Sequence, residues 1–178
     1  MPNLEYYEKL NGQLRQVTLC LLIKENQVLL AMKKRGFGKG NLNGIGGKLE
    51  PGESLEEAAV RESREEVGVI PTSMHKVATL NFYFDDAGEE KGWNQECTVF
   101  IVDKWEGDPQ ETEEMKPEWH AIDKIPYERM WSADSYWIPV VLQGKEIKGS
   151  FLMDLSQNLK EFKIKEVRNA NTKTLSKI

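Results

Sequence analysis

The sequence predicts an α+β fold in one domain, and three observations carry that expectation. The chain has 178 residues, close to the ~150 typical of a single domain. Runs rich in Val and Leu alternate with two segments of helical character, and no stretch repeats. Hydrophobic residues make up 39%, and the 14 glycines bring the apolar share to the level usual for a chain with a normal core.

In chain order, residues 17–24 and 27–32 read as strands, and Glu25-Asn26 between them suits a hairpin turn. The stretch RGFGKGNLNGIGG, residues 35–47, is too rich in glycine for a helix or strand interior and reads as a loop with tight backbone approach. Pro51-Gly52 makes a turn. Ser54 with Glu57 three residues on has the form of a capping box that opens a helix over 55–67, and Gly68 stands where a helix C-terminus favours it. Residues 75–84 and 96–102 read as strands around the polar insertion DDAGEEKGW. A second helix is expected over about 134–143, with Pro139 tolerable only near its first turn. The alternation of 161–167 suggests a late strand, paired with 150–155 across the SQN turn. Residues 1–15 are expected to be a leader, 16–168 the folded domain and 169–178 a disordered tail with little to bury.

Charge narrows the function classes. A net charge of -5 is the wrong sign for holding a nucleic-acid polymer or an anionic membrane by bulk electrostatics, so a polyanionic ligand needs a local device. No run approaches a membrane span, and the first residues lack a basic-then-apolar signal, so a cytoplasmic protein is expected. Cys20 and Cys97 lie in apolar runs and read as buried small hydrophobes. With His75 and His120 far apart, zinc ligands are too few, and any metal is held by oxygens.

The informative stretch is GGKLEPGESLEEAAVRESREEVGV, residues 46–69. Glu62, Glu65 and Glu66 stand at i, i+3 and i+4 and so share one helix face. Taken alone such a triplet is most often a solvated acidic surface. With Gly47, Glu53, Arg61, Gly68 and Val69 it completes the pattern G-x5-E-x7-R-E-U-x-E-E-x-G-U, where U is a bulky apolar residue. This resembles the Nudix box, with Ser63 at the first U as the single departure.

The resemblance implies an α/β/α sandwich, a mixed sheet flanked by helices, and a hydrolase of phosphoanhydride bonds. It implies a divalent metal, Mg²⁺ or Mn²⁺, held by Gly46, Glu62, Glu65, Glu66 and the additional acid Glu114, with Glu62 or Glu66 as base and with Arg61 and Glu53 beside them. Clustered carboxylates suit that chemistry, because hard cations take oxygen ligands and neutralise phosphate charge.

Beyond the box, MKKRGFGKGNLNGIGGK, EMKPEW and MWSADSYW are similar to the MutT-homologue triphosphatases that act on oxidised purine nucleotides and sanitise the nucleotide pool. That likeness implies a small-molecule nucleotide such as 8-oxo-dGTP and a monomer. It implies a substrate pocket built from Thr18, Lys33, Phe37, Asn43, Phe82, Phe84, Trp131 and Asp134. Each of these also has a structural reading: Phe82 and Phe84 as core, Asn43 as a turn residue, Lys33 as a solvated cation, Trp131 as packing. The string Trp131-Ser132-Ala133-Asp134 lacks the first of two adjacent aspartates carried by the human-type members, which puts breadth toward oxidised adenines in doubt. The box fixes chemistry and not substrate, so other nucleoside triphosphates, dinucleoside polyphosphates and nucleotide sugars stay open, as does an idle nucleotide-sensing module.

Overall fold

A computed structural model describes residues 2–10, 12–85 and 92–167. The expected tail, 169–178, lies outside the described residues. Eight strands form one mixed sheet: β1 (Arg15–Lys24), β2 (Gln27–Lys33), β3 (Leu42–Asn43), β4 (Ile70–Phe84), β5 (Gln95–Glu106), β6 (Met115–Ala121), β7 (Ile147–Met153) and β8 (Leu159–Glu166). The order is β3-β2-β1-β5-β4-β7-β8, with β6 paired to β2; β1 with β5 and β4 with β7 are parallel, and the remaining pairs antiparallel. Among the described residues three α-helices accompany it: α1 (Leu4–Lys9), α2 (Leu55–Val67) and α3 (Asp134–Leu142).

The two long helices cover opposite faces, which makes the α/β/α sandwich. On one face Ala59 and Val67 of α2 pack with Cys20, Leu22, Phe100 and Val102. On the other, Trp137, Ile138 and Val141 of α3 pack with Val17, Leu21, Val99 and Ile101. The parity of β1 and β5 therefore assigns each side chain to a helix, as strand alternation requires.

Local chemistry accounts for several element ends. Glu25 and Asn26 take positive φ of 50° and 63° and close the β1–β2 hairpin, the turn that two-residue loops favour. Ser54 Oγ accepts from Glu57 N while Glu57 accepts from Ser54 N, completing the capping box, and Gly68 ends α2 at a left-handed φ of 75°. The late hairpin forms as expected, β7 against β8.

Other elements depart from the expectation. Strand β4 begins at Ile70 rather than at 75, because register shifts at Pro71/Ser73, Ser73/Met74 and Lys76/Ala78 break its alternation. Pro139 is the sixth of nine helical residues in α3, past the first turn, so the helix forgoes one interior hydrogen bond there. Strand β6, with Pro117 opposite Ala31, carries no clear strand pattern yet lies along β2 at the sheet's edge, where proline is tolerated. Ahead of β1, α1 buries Leu4 and Tyr7 against Tyr83 and Leu152.

Ser63, on the inward side of α2, is fully buried, and its hydroxyl makes no hydrogen bond of normal geometry. A buried unpaired hydroxyl costs about 1–3 kcal/mol. Ser63→Ala removes the hydroxyl at little loss of volume and should raise the melting temperature by about 2–4 °C per kcal/mol recovered. Thermal denaturation of the purified variant checks this; a lower melting temperature would show that the hydroxyl is paired after all.

Candidate active site

The glycine-rich loop is held between β1 and α2. Its last residues run antiparallel to β1, with Ile45 N donating to Cys20 O at 2.9 Å and Thr18 N to Gly47 O at 2.8 Å. A Cβ on Gly46 would overlap the Thr18 carbonyl, and one on Gly47 would overlap the Glu62 carboxylate. Backbone excludes any side chain at Gly46, while at Gly47 a Cβ would force the Glu62 carboxylate aside; neither restriction comes from an unusual φ.

On the other side of the loop stand the acids of α2. Glu66, 7% exposed, accepts a hydrogen bond from Gly46 N at 3.0 Å. Burial pushes its carboxyl up to about 8; the charges of Glu62 and Glu114 add to the rise, and the Gly46 N–H and the Lys33 charge oppose it. Glu62 is also raised by burial, with Arg61 opposing. Arg61 fixes the array: it grips Glu53 with Nε and Nη2 at 2.7 and 2.9 Å, reaches Glu62 at 2.9 Å and Glu65 at 3.3 Å, and donates to Lys48 O at 2.9 Å. The bidentate pair holds Glu53 down at about 2, with the Glu50 backbone N–H assisting. Thus Glu53 anchors the arginine, and the arginine orients the acids. Glu65 remains largely exposed, and Glu114 pairs with Arg35 at the start of the loop.

Among the described residues no three His, Cys, Asp or Glu side chains already converge on one point as metal ligands. The donor set nevertheless suits a hard cation. Two carboxylates, half-buried Glu62 and buried Glu66, stand beside a glycine backbone with their proton affinity raised, chiefly by burial; the charge of Glu62 adds to the rise at Glu66, and those of Glu65 and Glu114 to the rise at Glu62. Such a cation would offset the burial, and the lesser carboxylate repulsion, that favour protonation.

Phe37, at the loop's tip between left-handed Gly36 and Gly38, leads to the second part of the site. Its ring lies 4.6 Å from that of Trp93, 5.1 Å from Trp131 and 5.9 Å from Phe84, and is 42% exposed. Phe84 and Trp131 are in turn 6.0 Å apart. Trp93 belongs to the polar insertion and was missed by sequence reasoning; its place in the string DDAGEEKGW gives no periodic signal. Phe82 points to the same sheet face as Phe84 but stacks on Phe151 at 5.1 Å instead. Asp134, the first residue of α3, is buried and accepts from Trp137 Nε1 at 2.9 Å. Burial pushes its carboxyl up to about 7 against that hydrogen bond.

Three expected pocket residues take no part in the ring contacts that join the aromatic group. Thr18 shares its strand parity with Cys20 and so lies on the α2 face, its hydroxyl buried and unpaired. Asn43 is paired with Ala31 across β2 and β3, and its amide donates to Asn41 O at 3.1 Å. Lys33, half-buried at the end of β2, acts on Glu66 through its charge. The site therefore has an acid end and an aromatic end, joined by the glycine-rich loop.

Comparison with known proteins bears on what this arrangement belongs to. The NUDIX domain model matches residues 13–141. The chain belongs to the NUDIX family, whose α/β/α sandwich it adopts. It is 42% identical over 153 residues to the oxidized purine nucleoside triphosphate hydrolase of Danio rerio, covering 86% of this chain and 96% of that protein. The mouse protein of the same name is 40% identical over the same coverage. Among solved structures, a MutT protein from Bacillus halodurans superposes with a TM-score of 0.74 at 26% identity, over 85% of this chain and 97% of that one.

Asp134 gives a test that does not depend on activity. An acid whose pKa is raised by folding holds its proton more tightly in the folded chain, so stability is greatest below its ordinary value near 4 and is lost as pH rises through about 7. Asp134→Asn keeps an acceptor for Trp137 and removes that titration. Between about pH 5 and pH 8 the variant should lose less melting temperature than the parent; equal losses in both would place the carboxyl in water.

Proposed function

We propose that the protein hydrolyses oxidised purine nucleoside triphosphates of the 8-oxo-dGTP type to the monophosphate and pyrophosphate. One observation carries the reading: a single glycine-rich loop presses its backbone against buried carboxylates at one end and sets Phe37 among indoles at the other. A nucleoside triphosphate has the same two-ended chemistry, a polyanion and a flat aromatic base. The names and close similarity of the zebrafish and mouse relatives support the same substrate.

Mg²⁺, or Mn²⁺ in its place, would be held by Glu62, Glu65, Glu66, Glu114 and the Gly46 carbonyl, and would supply phosphate charge neutralisation and an acidified water. The chain's own residues do the rest. Arg61, anchored by Glu53, keeps Glu62 and Glu65 turned toward the loop. Glu62 and Glu66 both have raised proton affinity beside the reacting phosphate, and either can take the proton of the attacking water at its carboxylate oxygen. Lys33 adds positive charge where the polyphosphate arrives.

Phe37, Phe84, Trp93 and Trp131 offer ring faces to the base, for which stacking contributes about 1–3 kcal/mol per contact. Asp134 reads the base edge in place of a carboxylate pair, since Ala133 is buried and apolar where the human-type members have an acid. With its proton held to about 7, one carboxyl can accept from guanine-type N–H groups when ionised and donate when protonated.

A panel of normal and oxidised nucleotides with Mg²⁺ tests the substrate: 8-oxo-dGTP should be turned over with release of pyrophosphate and in preference to dGTP. Release of inorganic phosphate, or a preference for a nucleotide sugar, would overturn the reading. In the same assay Glu62→Gln and Glu66→Gln should each lower kcat at least about a hundredfold, because each removes a ligand or the base. Their circular dichroism should match the parent's, and near-normal turnover in both would move the chemistry elsewhere.

A further inference from the structure

The turn between β7 and β8 reaches the active-site segments from outside the Nudix motif. Asp154 builds it: Oδ1 accepts from Ser156 N at 2.8 Å and Asn158 N at 2.9 Å, and Oδ2 accepts from Asn158 Nδ2 at 3.0 Å. Gln157 sits at its apex with a left-handed φ of 69°, a conformation that few residues other than Gly, Asn and Asp adopt. From that fixed position it holds two partners. Its side-chain Oε1 accepts from Asn41 Nδ2 in the glycine-rich loop, and its backbone oxygen accepts from Ser132 Oγ at 2.7 Å. Ser132 Oγ also accepts from Leu159 N at 2.8 Å, so the serine is clamped to both sides of the turn.

Each anchor leads to candidate substrate residues. Asn41 O accepts from Lys33 N at 3.0 Å and from Asn43 Nδ2 at 3.1 Å, so the orientation of the Asn43 amide follows from where Asn41 is held. Ser132 lies between Trp131 and the buried start of α3, where Asp134 N donates to Trp131 O at 2.9 Å. Neither segment is otherwise tied to the other by a hydrogen bond among the described residues, although Phe37 touches Trp131 through its ring.

We infer that Gln157 is a positioning residue that sets the spacing between the loop carrying Asn43 and the segment carrying Trp131 and Asp134, and thereby the fit of the purine base. Ser132 is its second half. Both act through other residues and touch no reacting atom. The inference rests on the functional reading given above, and it concerns base recognition only. The acids of α2 make no hydrogen bond to this turn, and Lys33 meets Asn41 through backbone alone, so the chemical step should change little.

Steady-state kinetics of the full chain on 8-oxo-dGTP and dGTP tests this. Gln157→Gly keeps the left-handed backbone and deletes the side chain; Ser132→Ala deletes the other tie. Each should raise KM for 8-oxo-dGTP about three- to tenfold, the worth of one hydrogen bond, with kcat within about twofold of the parent. The preference for 8-oxo-dGTP over dGTP should fall, and Ser132→Thr, which keeps the hydroxyl, should retain the parent KM. A purely structural turn would instead lower the melting temperature and leave KM and the nucleotide preference alone, which would overturn the inference, as would a fall in kcat at constant KM. If the parent itself fails to turn over 8-oxo-dGTP, the functional reading falls and the positioning role with it; if the parent is active and both variants match it, the positioning role alone falls.

Discussion

Everything at the acid end of the site depends on the absence of two side chains. Gly46 and Gly47 let the loop backbone lie simultaneously on the Thr18 carbonyl of β1 and against the Glu62 and Glu66 carboxylates of α2. That approach desolvates the acids and raises their proton affinity. It also gives Glu66 a backbone N–H as partner, so its burial is partly compensated. Carboxylates left in water on the same helix face would be the solvated surface that an isolated acidic triplet usually is.

Around this contact the fold divides its labour by sheet face. The α2 side carries the acids and the arginine that orients them; the α3 side carries Phe84, Trp131 and Asp134. The glycine-rich loop reaches both, through Gly46 and Gly47 at its end and Phe37 near its start. On the proposed reading, phosphate chemistry and base recognition can therefore vary separately. On that same reading, Ala133 alters the base end while every acid of the motif stays in place.

How much of this could be read in the sequence depends on whether the responsible signal is local. The bounds of α2 were legible to the residue because Ser54, Glu57 and Gly68 are capping devices that act within one turn. The acid cluster was legible because helix geometry places i, i+3 and i+4 together. The grip of Arg61 on Glu53 was less so: the i+4 contact to Glu65 is present but is its longest to a motif acid at 3.3 Å, and the stronger pair is made across the turn before the helix. The start of β4 was hidden by its bulges and β6 by Pro117, since both break the alternation that marks a strand. Trp93 was hidden for another reason. Its role arises from ring contacts with Phe37, distant in sequence, and with Phe84, and nothing in a polar insertion announces them.

The central claim is that the close packing of a side-chain-free backbone on Glu62 assembles the catalytic acids. Gly47→Ala addresses it most directly, because the added methyl overlaps the Glu62 carboxylate and displaces a flexible side chain and not the backbone. The measurement is Mg²⁺-dependent pyrophosphate release together with the Mg²⁺-induced rise in melting temperature, the latter reporting cation binding through linkage. The account predicts that the variant keeps the parent's circular dichroism and loses both the turnover and the Mg²⁺-induced stabilisation. A folded variant that retains turnover and the parent's response to Mg²⁺ would contradict it.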